Sequence, residues 1–181
     1  RTPCEDLLDL CSGTGIGALV AANQFARRAC AADITERSTR FARFNAALNG
    51  LPNVEAVQGD VYEPLEGQTF DRIIAHPPYV PTLEAEYVFR DGGEDGEQVT
   101  RKIITGLPKH LRPGGQFYCD CLMTERQNAP LEERLPAMLG EHGNEFDVVI
   151  AQVKSIDPVN YLAERLRSGA RSVEDAMKEQ A

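Results

Sequence analysis

Apolar positions along the chain fall into short runs that stop abruptly at small or polar residues. Glu5 to Cys11 (EDLLDLC) is one such run, cut off by Ser12-Gly13, and it predicts a strand. Ile16 to Asn23 follows as a helix, and Arg27 to Asp33 (RRACAAD) as a second strand. Thr35 is placed to cap a helix that runs to Asn49, with Phe41, Phe44 and Leu48 on one face at helical spacing and Gly50 as the stop. Val54 to Gln58 predicts a third strand and Phe70 to Ala75 a fourth, ended by Pro77-Pro78. A polar loop from about Val80 to Gly96 leads into a helix from about Glu97 to Leu107. Arg112-Pro113-Gly114-Gly115 reads as a turn into a fifth strand, Gln116 to Leu122. A helix over Leu131 to Leu139, a sixth strand over Phe146 to Val153 and a helix over Asn160 to Arg167 complete the pattern, followed by a polar helical stretch from Ser168 to Ala181. Alternation of this kind predicts an α/β fold: a doubly wound, mostly parallel, Rossmann-like sheet with helices on both faces. Right-handed crossovers in such a sheet bring ligands to the C-terminal strand ends.

Composition narrows the function classes. A chain of 181 residues has the length of one domain, here spanning 1–181, and is 42% hydrophobic and 26% charged. Its formal net charge of −9 argues against a surface that attracts nucleic acid or anionic membrane as a whole. No apolar run approaches the roughly 18 residues of a membrane span, and no signal peptide opens the chain. The five cysteines read as buried free thiols of a reduced, cytoplasmic protein. Cys119 and Cys121 would share one face of the fifth strand; their spacing is not that of a zinc site, and no metal is expected. His110 and His142 read as surface residues, and Arg37, Arg40 and Arg43 as a solvated helix face.

Chemistry concentrates where the strands end. Asp9-Leu-Cys11-Ser-Gly13-Thr14-Gly15 joins the first strand to the first helix, and glycines there let the backbone approach a ligand beside free helix N–H groups. Gly13, Gly15 and Ala18 also satisfy the dinucleotide pattern, so the loop alone is compatible with a nicotinamide cofactor. Asp33, ending the second strand, can accept from two ribose hydroxyls. Asp60, just past the third, can accept from an adenine amino group, and Ile34 and Val61 can sandwich the ring. At the fourth strand end stands His76-Pro77-Pro78-Tyr79. The prolines fix the backbone, a carbonyl is left free to accept from a substrate N–H, and Tyr79 offers a flat face for a planar group.

Taken in order, DLCSGTGIGAL, ADI, GD and HPPY resemble the class I S-adenosylmethionine-dependent methyltransferases across most of the chain. HPPY is similar to the N/D-PP-Y signature of enzymes that methylate planar nitrogens. The loop Arg90-Asp91-Gly92-Gly93-Glu94-Asp95-Gly96 resembles the glutamine amide branch. The resemblance implies S-adenosylmethionine as cofactor, held by Asp9, Cys11, Gly13, Thr14, Gly15, Asp33, Ile34, Asp60, Val61 and His76. It implies an acceptor oriented by His76, Pro77 and Tyr79. Position 76 departs from the signature: neutral histidine accepts through one ring nitrogen only, and it can instead act as a base toward a hydroxyl. Six acids between Leu83 and Glu97 against the single base Arg90 would repel a nucleic-acid backbone, which favours a protein or small-molecule acceptor. A non-catalytic binding module is the rival of another class. Sheets of this family usually carry seven strands; with six counted, the chain is expected to be part of a longer protein, lacking the last strand and residues before Arg1.

Overall fold

The computed structural model describes residues 2–82, 87–157, 159–161 and 163. Residues 1–148 and 149–181 form two compact units. The first is built on five strands, β1 (Cys4–Leu10), β2 (Ala26–Asp33), β3 (Val54–Gln58), β4 (Phe70–Ala75) and β5 (Leu111–Cys119). All neighbours pair in parallel, in the order β3-β2-β1-β4-β5. Helices α1 (Ile16–Gln24), α2 (Glu36–Leu48) and α3 (Gln98–His110) make the crossovers, and α4 (Leu131–Met138) follows β5. No helix among the described residues is long and apolar enough to cross a membrane.

The strands alternate between two unlike faces. Leu8, Leu10 and Ile73 point into a core of branched residues with Ile103, Ile104 and Leu107 of α3. Leu7 faces the other way, into a layer built mostly of alanines: Ala18 and Ala21 of α1, Ala29 and Ala31 of β2, Ala42 of α2 and Ala56 of β3. This alanine layer decides how α2 sits. A side chain at Gly15 would lie 2.9 Å from the Ala42 Cβ, and the helix approaches through Thr39, Ala42 and Ala46. There is no room for rings in so close a contact. The expected apolar face is therefore the wrong one: Phe41, Phe44 and Leu48 are 45%, 60% and 71% exposed.

The C-terminal part departs further from expectation. Arg112 to Gly115 is not a turn before a strand but an irregularity within β5: Phe70 pairs with Leu111 and Arg72 with Gln116, so four residues bulge opposite Asp71. β5 ends at Cys119, short of Leu122. Phe146 to Val153 forms no strand, because no edge among the described residues pairs with it; in the second unit, Val149 and Val153 stand almost wholly exposed. Residues 159–161 and 163 of the last expected helix are helical; the rest of it, and Ser168 to Ala181, lie outside the described residues.

Candidate functional site

The sheet order sets three acids in a row. Asp9 lies opposite Ala31 of β2 and Ile74 of β4; Asp33 closes β2 opposite Gln58, and Asp60 follows two residues on. The glycine loop is pinned between them. Ser12 N–H donates to the Ala32 carbonyl at 3.1 Å, and Gly15 N–H to the Ser12 carbonyl at 2.8 Å. Gly13 N–H donates to Asp33 Oδ2 at 2.9 Å, while Thr35 holds Asp33 Oδ1 through its N–H and hydroxyl. The Asn45 amide on α2 holds the Thr14 carbonyl at 3.0 Å.

Asp9 is only 6% exposed and accepts the Ala18 N–H at 2.9 Å, at the opening of α1. Burial raises its carboxyl to about 7; the Ala18 N–H works against that rise, and the nearby Asp33 charge adds to it. The helix comes close here, since a side chain at Gly17 would lie 2.7 Å from Asp9 Oδ2. Cys11 is half-buried, and burial pushes its thiol up to about 12, so it lines the loop as a neutral wall rather than a nucleophile.

Backbone strain marks the same places. Cys11 and Val61 both have φ of 56°, the left-handed region that a β-branched residue rarely enters, and no other described non-glycine residue does so. Both lie directly at the expected nucleoside site. Gly13, at φ 53°, has open space where a side chain would stand. An open cradle above a strained loop, flanked by carboxylates, fits the amino acid and ribose parts of S-adenosylmethionine. Ile34 is half exposed, whereas Val61 is buried in the core layer. Asp60 is paired with Lys102 of α3, a residue that no motif in the sequence had pointed to. The contact of α3 with the segment after β3, where the Tyr62 hydroxyl donates to the Ile103 carbonyl, brings it there.

At the end of β4, the His76 ring is exposed and lies 5.6 Å from the Tyr79 ring, tilted by 34°. Pro77 is buried. Asp120 N–H donates to the Ala75 carbonyl at 3.1 Å, tying the exit of β5 to this segment. The acidic loop folds back onto it. Val80 N–H donates to the Arg90 carbonyl and Gly92 N–H to the Val80 carbonyl, each at 2.9 Å. Three of the loop's six acids are paired with arginines. Asp91 meets Arg90 at 2.5 Å, Asp95 meets Arg101 at 2.6 Å and Arg126 at 3.0 Å, and Glu97 meets Arg126 and Arg134. Of the six acids only Glu94 is exposed among the described residues; Glu84 and Glu86 lie outside them. Asp91, Asp95 and Glu97 are thus engaged with arginines of the protein itself, and among the described residues Glu94 alone of these acids presents its charge openly to a nucleic-acid backbone.

Two smaller expectations are corrected here. His110 is buried, not on the surface; it stacks on Tyr62 at 4.2 Å with its Nδ1 2.9 Å from the Gln68 carbonyl. Cys121 lies past the end of β5, so it shares no strand face with Cys119; the neighbouring Cys121 thiol and burial together push the Cys119 thiol up. All five cysteines are free, as expected, but only Cys30 is buried; Cys4, Cys11, Cys119 and Cys121 are half-buried.

A glycine loop, acids at three neighbouring strand ends and an all-parallel sheet connected through helices are the features of α/β folds that take ligands at their C-terminal strand ends. The chain belongs to the methyltransferase small domain family, whose model matches residues 2–144. It is 37% identical over 131 residues to a ribosomal protein uL3 glutamine methyltransferase of Bradyrhizobium diazoefficiens, a match covering 66% of this chain and 41% of that one. It is also 37% identical over 127 residues to a release factor glutamine methyltransferase of Moorella thermoacetica, covering 62% and 45%. The matched part is less than half the length of either relative. Among solved structures, a methyltransferase from Pyrococcus furiosus superposes with a TM-score of 0.56 at 25% identity, over 76% of this chain and 63% of that one.

Proposed function

We propose that this chain binds S-adenosylmethionine and directs its methyl group to a side-chain amide nitrogen of glutamine in a protein. One observation carries the reading: Asp9, Asp33 and Asp60 stand at the ends of three neighbouring strands, β1, β2 and β3, and β1 pairs on its other side with β4, which leads into the His76–Tyr79 segment. The named glutamine methyltransferases among the relatives support the choice of acceptor. Bound there, S-adenosylmethionine supplies a methyl carbon already attached to a positively charged sulfur leaving group, so positioning does most of the remaining work. Gly13, Thr14 and Gly15 would face its amino acid part, with Asp9 accepting from the ammonium directly or through water. Cys11 would close the loop side. Asp33 would accept from the ribose hydroxyls, Asp60 from the adenine amino group, and Ile34 and Val61 would flank the ring. On the acceptor side, Pro77 leaves a carbonyl free to take one amide N–H. The His76 ring nitrogen takes the other, and Tyr79 stacks on the amide plane. The nitrogen lone pair is then turned toward the methyl carbon, and the proton it sheds has His76 beside it. The five free thiols suit a reducing compartment such as the cytoplasm.

Calorimetry with S-adenosylhomocysteine, together with transfer of labelled methyl from S-adenosylmethionine to a glutamine-bearing peptide, tests the proposal. Binding with incorporation into the glutamine side chain is the expected result. Binding of NAD in place of S-adenosylhomocysteine would overturn it. Binding without turnover on any protein fraction would leave a module that only binds.

A further inference from the structure

Glu97, the residue before α3, is 0% exposed and yet carries a carboxylate. Its Oε1 accepts from the Thr124 N–H at 3.1 Å, and its Oε2 from Arg126 at 3.2 Å and from Arg134; Arg101 lies 3.6 Å away. Asp95 extends the cluster. It accepts the Glu97 N–H at 3.0 Å and pairs with Arg101 and Arg126. Two carboxylates and three guanidiniums thus lock loop 91–97 to the stretch 124–134. A well-packed apolar cluster generally stabilises as much as a buried ion cluster does. What the ions add is a fixed geometry, and the geometry they fix is that of the acceptor segment. Gly92 and Gly96 press on that segment with no space between: a side chain at Gly92 would lie 2.8 Å from the Pro78 carbonyl, and one at Gly96 2.5 Å from the Tyr79 carbonyl. Thr82 N–H donates to the Gly93 carbonyl and Gln98 N–H to the Gly92 carbonyl, so the loop spans from the acceptor segment to α3 without slack.

We propose that Glu97 is a positioning residue for the methyl acceptor: it clamps loop 91–97 and so holds the Pro78 and Tyr79 backbone in register. The role in transfer rests on the function proposed above; the clamp itself does not. Misplacing an acceptor by about 1 Å costs on the order of a hundredfold in rate. Glu97→Gln keeps the shape and removes the charge that three arginines face. Amide exchange at Val80 and Gly92 is expected to rise about tenfold or more, as for a segment freed to open locally. Exchange at Leu8 and Ile73 and affinity for S-adenosylhomocysteine should stay unchanged, and kcat on a glutamine-bearing peptide should fall about tenfold or more. Unchanged exchange at Val80 and Gly92 overturns the clamp. Faster exchange with unchanged kcat overturns the positioning role, and so does a parallel loss of S-adenosylhomocysteine affinity, which would mark a general loosening. If Glu97→Gln does not fold, Arg126→Ala, which removes a partly exposed partner of both carboxylates, is held to the same outcomes. A wild-type protein that transfers no methyl group defeats the proposed function, and the exchange measurement still decides the clamp.

Discussion

Asp33 carries more of the site than any other single side chain. Its Oδ1 is taken up by the Thr35 N–H and hydroxyl, and its Oδ2 fixes the Gly13 amide while retaining a lone pair for a ribose hydroxyl. Asp33→Ala should therefore weaken S-adenosylhomocysteine binding by about 1.5–3 kcal/mol, the range for a charged hydrogen-bond partner. Calorimetry reads it directly; unchanged affinity would place the nucleoside elsewhere. His76 poses a different question, since an imidazolium cannot accept a hydrogen bond. His76→Asn restores an accepting oxygen. Turnover on a glutamine peptide should survive that change, as methyl transfer by the two proteins side by side would show. Abolished turnover would instead make His76 an obligatory base. Both residues were legible in the sequence, because strand-end acids and the HPPY tetrad announce themselves by position. Lys102 and Glu97 were not. Each matters only through the residue the fold sets beside it, Asp60 for one and Arg126 and Arg134 for the other.

At the scale of elements, hydrophobic spacing found every strand that pairs in the sheet and misjudged what one helix buries. Periodicity reports an apolar stripe but not how closely a helix may approach. Around α2 the distance is set by Gly15, Ala42 and the alanines of β2 and β3. Phe44→Ser should accordingly change stability by less than about 0.5 kcal/mol, as a surface substitution does. Ala42→Leu should cost about 1–3 kcal/mol by overpacking and should disturb the glycine loop with it. Denaturant midpoints of the two variants settle the comparison; a larger loss from Phe44→Ser would mean that something covers the aromatic face. The run Phe146 to Val153 misled for a related reason. β-propensity is necessary for a strand, but a strand also needs a partner edge, and no local pattern supplies one.

Across the whole molecule the titrating acids pull in opposite directions, and the balance predicts an unusual stability profile. Asp9 is raised to about 7 by burial, so the folded state binds its proton more tightly than the unfolded chain. Its contribution is full below the unfolded value, about 3.9, and is lost as pH rises toward 7. Asp6 and Asp95 behave oppositely. Hydrogen bonds from Arg28, and next from Arg112, hold Asp6 low against its partial burial. Partial burial would raise Asp95, but the Glu97 N–H, Arg101 and Arg126 outweigh it and hold it at about 2. Their contributions are present above about 4 and are lost as pH falls toward 2. Net charge adds to the first trend, since the repulsion behind a formal −9 grows with rising pH. The ligand-free protein should thus be most stable near pH 4–5 and lose stability steadily toward pH 7. A bound ligand with an ammonium beside Asp9 favours the ionised carboxylate, so S-adenosylhomocysteine should flatten the decline and release a proton on binding below pH 7. Midpoints of thermal unfolding from pH 3 to 8, with and without the ligand, read both effects. Asp9→Asn, which keeps an oxygen for the Ala18 amide but cannot ionise, should remove most of the decline between pH 5 and 7. A wild-type midpoint that climbs from pH 5 to 7 would show that Asp9 is ionised in the folded protein and that its burial does not govern the profile.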